Sequence, residues 1–188
     1  MILIDPELKS TGRGGIAPRL QTKSSAGSGP PRRERLPAAR TLEDFLHVAQ
    51  KAVRLRGEVT VFVTTDKTIR KLNGQFRGLD KATDVLSFPA GGPASAETAG
   101  DLAISSQTAL RQAREQGHSL SVEIKVLMLH GLLHLAGFDH ETDDGQMARR
   151  ERLLRARLGL PQGLIERAVA SDSAPKRAKA SLARGGRG

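Results

Sequence analysis

Leu42, Phe45, Leu46, Ala49 and Val53 recur at intervals of three and four, the period of one helix face. Thr41 stands where an N-cap belongs, and Glu43 and Asp44 suit the positive end of the helix dipole. After Gly57 the pattern changes to the β-branched run Val59-Thr-Val-Phe-Val63, which predicts a strand. Thr65 is placed to cap a second helix carrying Ile69, Leu72 and Phe76 on one face, with Gly78 near its end. Met1 to Asp5, Asp84 to Phe88 (stopped by Pro89) and Asp101 to Ile104 read as further strands, with a Gly/Ala/Pro loop over 90–100. Ser105 or Ser106 begins a helix reaching about Gln116. A helix from about Ser119 to Ala136 is the most apolar of all and is expected to be central and mostly buried. A last helix runs from about Asp143 to Leu158 and closes at Gly159. The order β-α-β-α-β-β-α-α-α predicts a single α+β domain, a small sheet of about four strands packed against helices.

Two segments fall outside this pattern. Residues 9–36 carry seven Lys/Arg against one Glu, and residues 171–188 carry five against one Asp. Together they hold the whole formal charge of +10, so the intervening body is neutral. Both are rich in Gly, Pro, Ser and Ala and bury too little apolar surface to fold alone. The expected organisation is therefore a domain over 1–160 with a flexible basic insertion at 9–37, followed by a basic, disordered tail at 161–188. Either the two arms solubilise the chain, or they raise its affinity for a polyanion such as RNA in a salt-dependent way. With no cysteine there is no disulfide, thiolate metal site or cysteine nucleophile, which fits a reducing cytoplasm. No apolar run is long enough for a membrane span, and the N-terminus does not read as a secretory signal. Tyr and Trp are absent and Phe is scarce, leaving little for aromatic stacking on bases.

The chemistry is concentrated in His130-Gly-Leu-Leu-His134-Leu-Ala-Gly137-Phe-Asp-His140, which holds three of the five histidines. His130 and His134, four apart, share one helix face. Gly137 tolerates the positive φ with which helices commonly end, so the chain can turn there and bring His140 back to the same point. Three neutral imidazoles form a tripod for one ion. Imidazole suits zinc, and three protein ligands leave a position for water, the pattern of catalytic sites. A single histidine on such a helix would more simply be a packed core residue; the spacing of three argues for ligands. His47 and His118 stand alone and are expected to face solvent or bond locally.

The motif His130-Gly-x-Leu-His134-Leu-x-Gly-x-Asp-His140 closely resembles that of the YbeY family of bacterial metal-dependent endoribonucleases. Two other blocks match in order: Leu72-Asn73-x-x-Phe76-Arg77-Gly78-x-Asp80-x-x-Thr83-Asp84-Val85-Leu86-Ser87-Phe88-Pro89, and Gly100-Asp101-Leu102-x-Ile104. The resemblance runs from about Thr41 to Gly159, with Met1–Asp5 as the usual first strand; the basic insertion and the tail are departures that touch none of these blocks. It implies a zinc-dependent endoribonuclease specific for single-stranded ribosomal RNA, acting on the 3′ end of small-subunit RNA and in ribosome quality control. It also implies contact with the small ribosomal subunit and an assembly GTPase, a cytoplasmic location, no membrane partner, one Zn2+ on His130, His134 and His140, and Arg77 as the catalytic cation. By its position alone, Arg77 is equally an ordinary arginine at a helix C-terminus. A guanidinium is always charged and grips phosphate bidentately, which is what the implied role requires. Asp139 is read either as orienting His140 or as a turn residue, Asp80, Asp84 and Asp101 as caps or loop fixtures, and Lys81 as a rim lysine.

The histidine spacing also fits metzincin-like zinc proteases, whose metal helix places a general-base Glu directly after the first histidine. Here that position is Gly131, so a peptide-cleaving mechanism lacks its proton shuttle. A metalloprotease, and a non-catalytic ribosome-assembly factor with a structural metal, are the two rival readings.

Overall fold

The computed structural model describes residues 1–10, 34–91, 97–140 and 143–162. Most of the basic insertion and nearly all of the tail lie outside them. The elements in chain order are β1 (Ile2–Ile4), α1 (Pro6–Ser10), α2 (Ala39–Val53), β2 (Glu58–Thr64), α3 (Asp66–Arg77), β3 (Val85–Pro89), β4 (Thr98–Ser105), α4 (Ser106–Glu115), α5 (Leu120–Leu135) and α6 (Gln146–Arg157). This is the α+β domain expected, with one four-stranded sheet ordered β1-β2-β4-β3 among the described residues.

β1, β2 and β4 run parallel, joined by helical crossovers, while β3 pairs antiparallel with β4 because the connection between them is short. The parallel strands alternate: Val59, Val61 and Val63 of β2, with Leu102 and Ile104 of β4, turn to one face and enter the main core. That face is covered by α2, through Leu42, Leu46, Ala49 and Val53, and by α5. Ala103 and Leu86 turn the other way and form a smaller core with Ile69 of α3.

α5 is apolar on all sides because it is surrounded: eleven of its sixteen residues are buried, so it has no solvent face to keep polar. Its entry is fixed by Ser119, whose hydroxyl accepts from the Val122 amide at 3.3 Å. Thr65 and Ser105 cap α3 and α4 in the same way. α2 differs from the sequence reading. It starts at Ala39, two residues before Thr41, and its N-cap, Ala38, offers no side chain; the Ala38 carbonyl accepts from the Leu42 amide at 3.3 Å. α6 begins at Gln146, where the Asp143 carboxylate accepts from the Gln146 and Met147 amides at 2.9 and 2.7 Å. Phe76, read on one helix face with Ile69 and Leu72, is exposed; its ring meets that of Phe88 edge-on at 5.0 Å and pins the end of α3 to β3.

α5 can lie on the sheet because residue 131 is glycine. A Cβ there would stand 2.7 and 3.0 Å from the two methyl carbons of Leu102 and 3.3 Å from the Ser87 hydroxyl. That close approach sets the height of His130 and His134 above β3 and β4.

Candidate metal centre

His130 and His134 stand one turn apart on α5, and the helix ends directly after them. Gly137, at φ 87°, donates to the His134 carbonyl at 3.0 Å, and Phe138 donates to the Leu133 carbonyl at 3.0 Å. This pair of bonds is the Schellman arrangement, which needs a left-handed residue where Gly137 stands. Phe138, partly buried, packs on the main core and fixes the exit direction. Two residues on, His140 returns to the first two histidines.

The three imidazoles form a nearly equilateral triangle, with centroids 4.8, 5.2 and 5.4 Å apart and ring planes 73–86° from one another. One ring nitrogen from each lies within 4.8 Å of the others. His130 Nε2 and His134 Nε2 are 3.1 Å apart. Two nitrogens on one tetrahedral zinc at ~2.05 Å are separated by about 3.3 Å, so the spacing fits a shared ion. The Nδ1 of His140 is buried without a hydrogen-bond partner. Three neutral nitrogen donors turned toward each other repel unless a cation lies among them, and the donor set therefore fits a borderline metal such as zinc.

The electrostatics keep His134 neutral. Burial, then the neighbouring His130 and His140, then Arg77 push His134 down from 6.5 to about 4, with Asp139 opposing. A histidine so depressed is deprotonated at neutral pH and available to a metal.

Arg77, in the last turn of α3, is solvent-exposed and near enough to the cluster for its charge to bear on His134. The structure thus brings a guanidinium from a distant part of the sequence within electrostatic reach of His134. Asp139 Oδ1 is 3.8 Å from His140 Nδ1, too long for a hydrogen bond. Two of the other carboxylates are occupied elsewhere. Asp80 takes a bidentate grip from Arg70 at 2.6 Å, and Asp84 accepts from Val85 and Gln112. Asp101, opposite Phe88 on β4, is exposed, as are Lys81 and His47. His118 is paired with Glu123.

The residue that sequence reasoning missed is Glu151. It lies on α6, buried, and accepts from His130 Nδ1 at 3.0 Å. A carboxylate only accepts, so the His130 proton sits on Nδ1 and Nε2 carries the lone pair. Burial alone would raise the Glu151 carboxyl, but the hydrogen bond and charge of His130, followed by Arg155, hold it below its ordinary value. The signal was present in the sequence: Met147, Glu151 and Leu154 share one helix face, and a glutamate stands where the period calls for an apolar residue.

An α+β domain presenting three histidines from a helix and its terminal turn, with a guanidinium within electrostatic reach of one of them, carries a cluster that could hold a metal ion. The chain belongs to the Endoribonuclease YbeY family, whose family model matches residues 33–159. A relative from Solibacter usitatus named "Endoribonuclease YbeY" is 53% identical over 126 residues, covering 67% of this chain and 83% of its own. One of the same name from Koribacter versatilis is 51% identical over 140 residues, covering 74% and 90%. A solution structure of a Thermotoga maritima protein gives a TM-score of 0.49 at 25% identity, over 78% of this chain and 97% of its own. Among the described residues no helix is long and apolar enough to cross a membrane.

Proposed function

We propose that this protein is a zinc-dependent endoribonuclease that cleaves single-stranded ribosomal RNA, acting in the cytoplasm on the 3′ end of small-subunit RNA and in ribosome quality control. The small ribosomal subunit and an assembly GTPase are its partners in this reading. The observation that carries it is the triangle of three imidazoles, with Arg77 within electrostatic reach of His134, in a chain of an endoribonuclease family.

His130, His134 and His140 hold the ion. When bound there, zinc supplies Lewis acidity toward a phosphodiester and its attacking water. Arg77 grips the non-bridging oxygens of the scissile phosphate and offsets the charge that grows on them during attack. Its exposed position lets an extended strand reach the metal without unfolding the domain. Gly131 argues against the protease reading, since a side chain at that position would start against Leu102 and point into the sheet.

The test is incubation of the full chain with single-stranded ribosomal RNA and, separately, with an unstructured peptide, each with and without chelator. Cleavage of the RNA alone, abolished by chelator and restored by zinc, is expected. RNA binding without metal-dependent cleavage would move the protein to the assembly-factor reading, and peptide cleavage to the protease.

A further inference from the structure

Glu151 and Arg155 are both almost fully buried, at 2% and 1% exposure, one turn apart on a helix whose other arginines reach solvent. A buried ion pair seldom contributes more stability than well-packed apolar side chains of the same size, so packing does not account for it. Its connections do. Glu151 Oε2 accepts from His130 Nδ1 at 3.0 Å, while Oε1 contacts Arg155 Nη2. Arg155 Nη1 donates to the Pro161 carbonyl at 2.9 Å. One line of polar interactions therefore runs from the ring of a histidine in the cluster, through a carboxylate and a guanidinium, to the backbone beyond α6.

We propose that Glu151 is a positioning residue that fixes the tautomer and ring angle of His130 and thereby sets the affinity for the metal. Arg155, anchored on Pro161, holds that carboxylate in place. The proposal rests on the metal reading of the three histidines. His130 and His134 share a helix face, but a helical imidazole rotates about two side-chain bonds and exchanges its proton between two nitrogens. The Nδ1–H to carboxylate bond removes both freedoms and makes Nε2 the more basic donor. Because Arg155 reaches the backbone at Pro161, the segment after Gly159 is part of the support of the site.

The test measures zinc affinity of the full chain by competition with a chromophoric chelator, for wild type, His134→Ala, Glu151→Gln, Glu151→Ala and Arg155→Lys. Far-UV circular dichroism of the metal-free proteins checks the fold. Glu151→Gln retains shape and an acceptor but loses charge, and should bind zinc about 10–100-fold more weakly. Glu151→Ala should bind more weakly still, and Arg155→Lys should fall between wild type and Glu151→Gln. In cobalt-loaded protein the visible absorption of Glu151→Gln should shift, a change in ligand geometry that a merely structural carboxylate would not produce. A folded Glu151→Gln with wild-type affinity and spectrum overturns the proposal while leaving the metal reading intact. Equal zinc binding by wild type and His134→Ala overturns the metal reading itself. Should the Glu151 variants fail to fold, long-range proton–nitrogen spectra of wild type decide. His130 protonated on Nδ1 supports the proposal; His130 protonated on Nε2 rejects it.

Discussion

Gly131→Ala sets two effects of opposite sign against each other. In the middle of a helix, alanine is favoured over glycine by about 1 kcal/mol, so propensity alone predicts a more stable protein. The structure predicts otherwise. The new Cβ would lie 2.7 Å from one Leu102 methyl carbon and 3.0 Å from the other, inside ordinary van der Waals distance. Leu102 is 1% exposed, with no open space to swing into. Overpacking of this kind costs roughly 1–3 kcal/mol, so the net change should be a loss of about 1 kcal/mol. For a domain of this size that lowers Tm by about 3 °C. Moving α5 off β4 also carries His130 and His134 away from Arg77, so cleavage should fall more than stability does. Thermal and urea unfolding of metal-free protein read the first effect, single-turnover RNA cleavage the second. Leu102→Ala destabilises by itself, but the Gly131→Ala/Leu102→Ala pair should be less unstable than the two singles combined, by at least about 0.5 kcal/mol. If Gly131→Ala instead stabilises the protein by about 1 kcal/mol and leaves cleavage unchanged, the close approach of helix to sheet is not what places the histidines.

Arg77→Lys should stay folded and keep its zinc yet lose most of its cleavage, because an ammonium does not reproduce the planar fork; full activity would reject the assigned role. Acid should weaken the metal-free protein in a defined window. His134 titrates near 4 in the folded chain against 6.5 unfolded, so between those values the unfolded chain binds more protons and stability falls as pH drops from 6.5 toward 4. Urea midpoints measured across that range should decline with pH, and His134→Ala should flatten the decline. Removing residues 9–36 and 171–188 should weaken RNA binding and make its salt dependence shallower, by roughly 0.7 in log–log slope for each phosphate the arms no longer neutralise. Metal content and cleavage at saturating RNA should persist; unchanged affinity and slope would show the arms to be solubilising sequence.

What the sequence disclosed was what neighbouring residues determine among themselves. The apolar run of α5, its Ser119 cap and the Gly137 turn are local, so the three histidines could be placed in one cluster from spacing alone. α1 escaped because five residues carry no period. β4 begins at Thr98, inside the expected loop, because pairing with β2 from Thr98 and with β3 from Gly100 holds the segment extended despite the weak strand preference of Ala99 and Gly100. Phe76 fits an apolar helix face by spacing, yet at the end of α3 it meets the sheet only through the edge of Phe88 and stays exposed. Glu151 looked like one more charge in an arginine-rich helix. Its place on the face of Met147 and Leu154 marked it as buried, but the partner it meets there, His130, depends on α6 packing beside α5, which no local pattern encodes.

The turn at Gly137 has a consequence for the order of assembly. All three histidines lie within eleven residues of one helix and its cap, so bringing them together closes only a short loop and costs little chain entropy. Arg77 is more than fifty residues away and arrives only when α3 has docked on β3 and β4. A chain whose sheet has not yet formed therefore already has the means to capture an ion but none to grip a phosphate. The expected order during folding is therefore ion capture first and nuclease competence second. In refolding followed by a zinc indicator and by RNA cleavage, the first signal should change ahead of the second; simultaneous changes would mean that the tripod forms only within the finished domain.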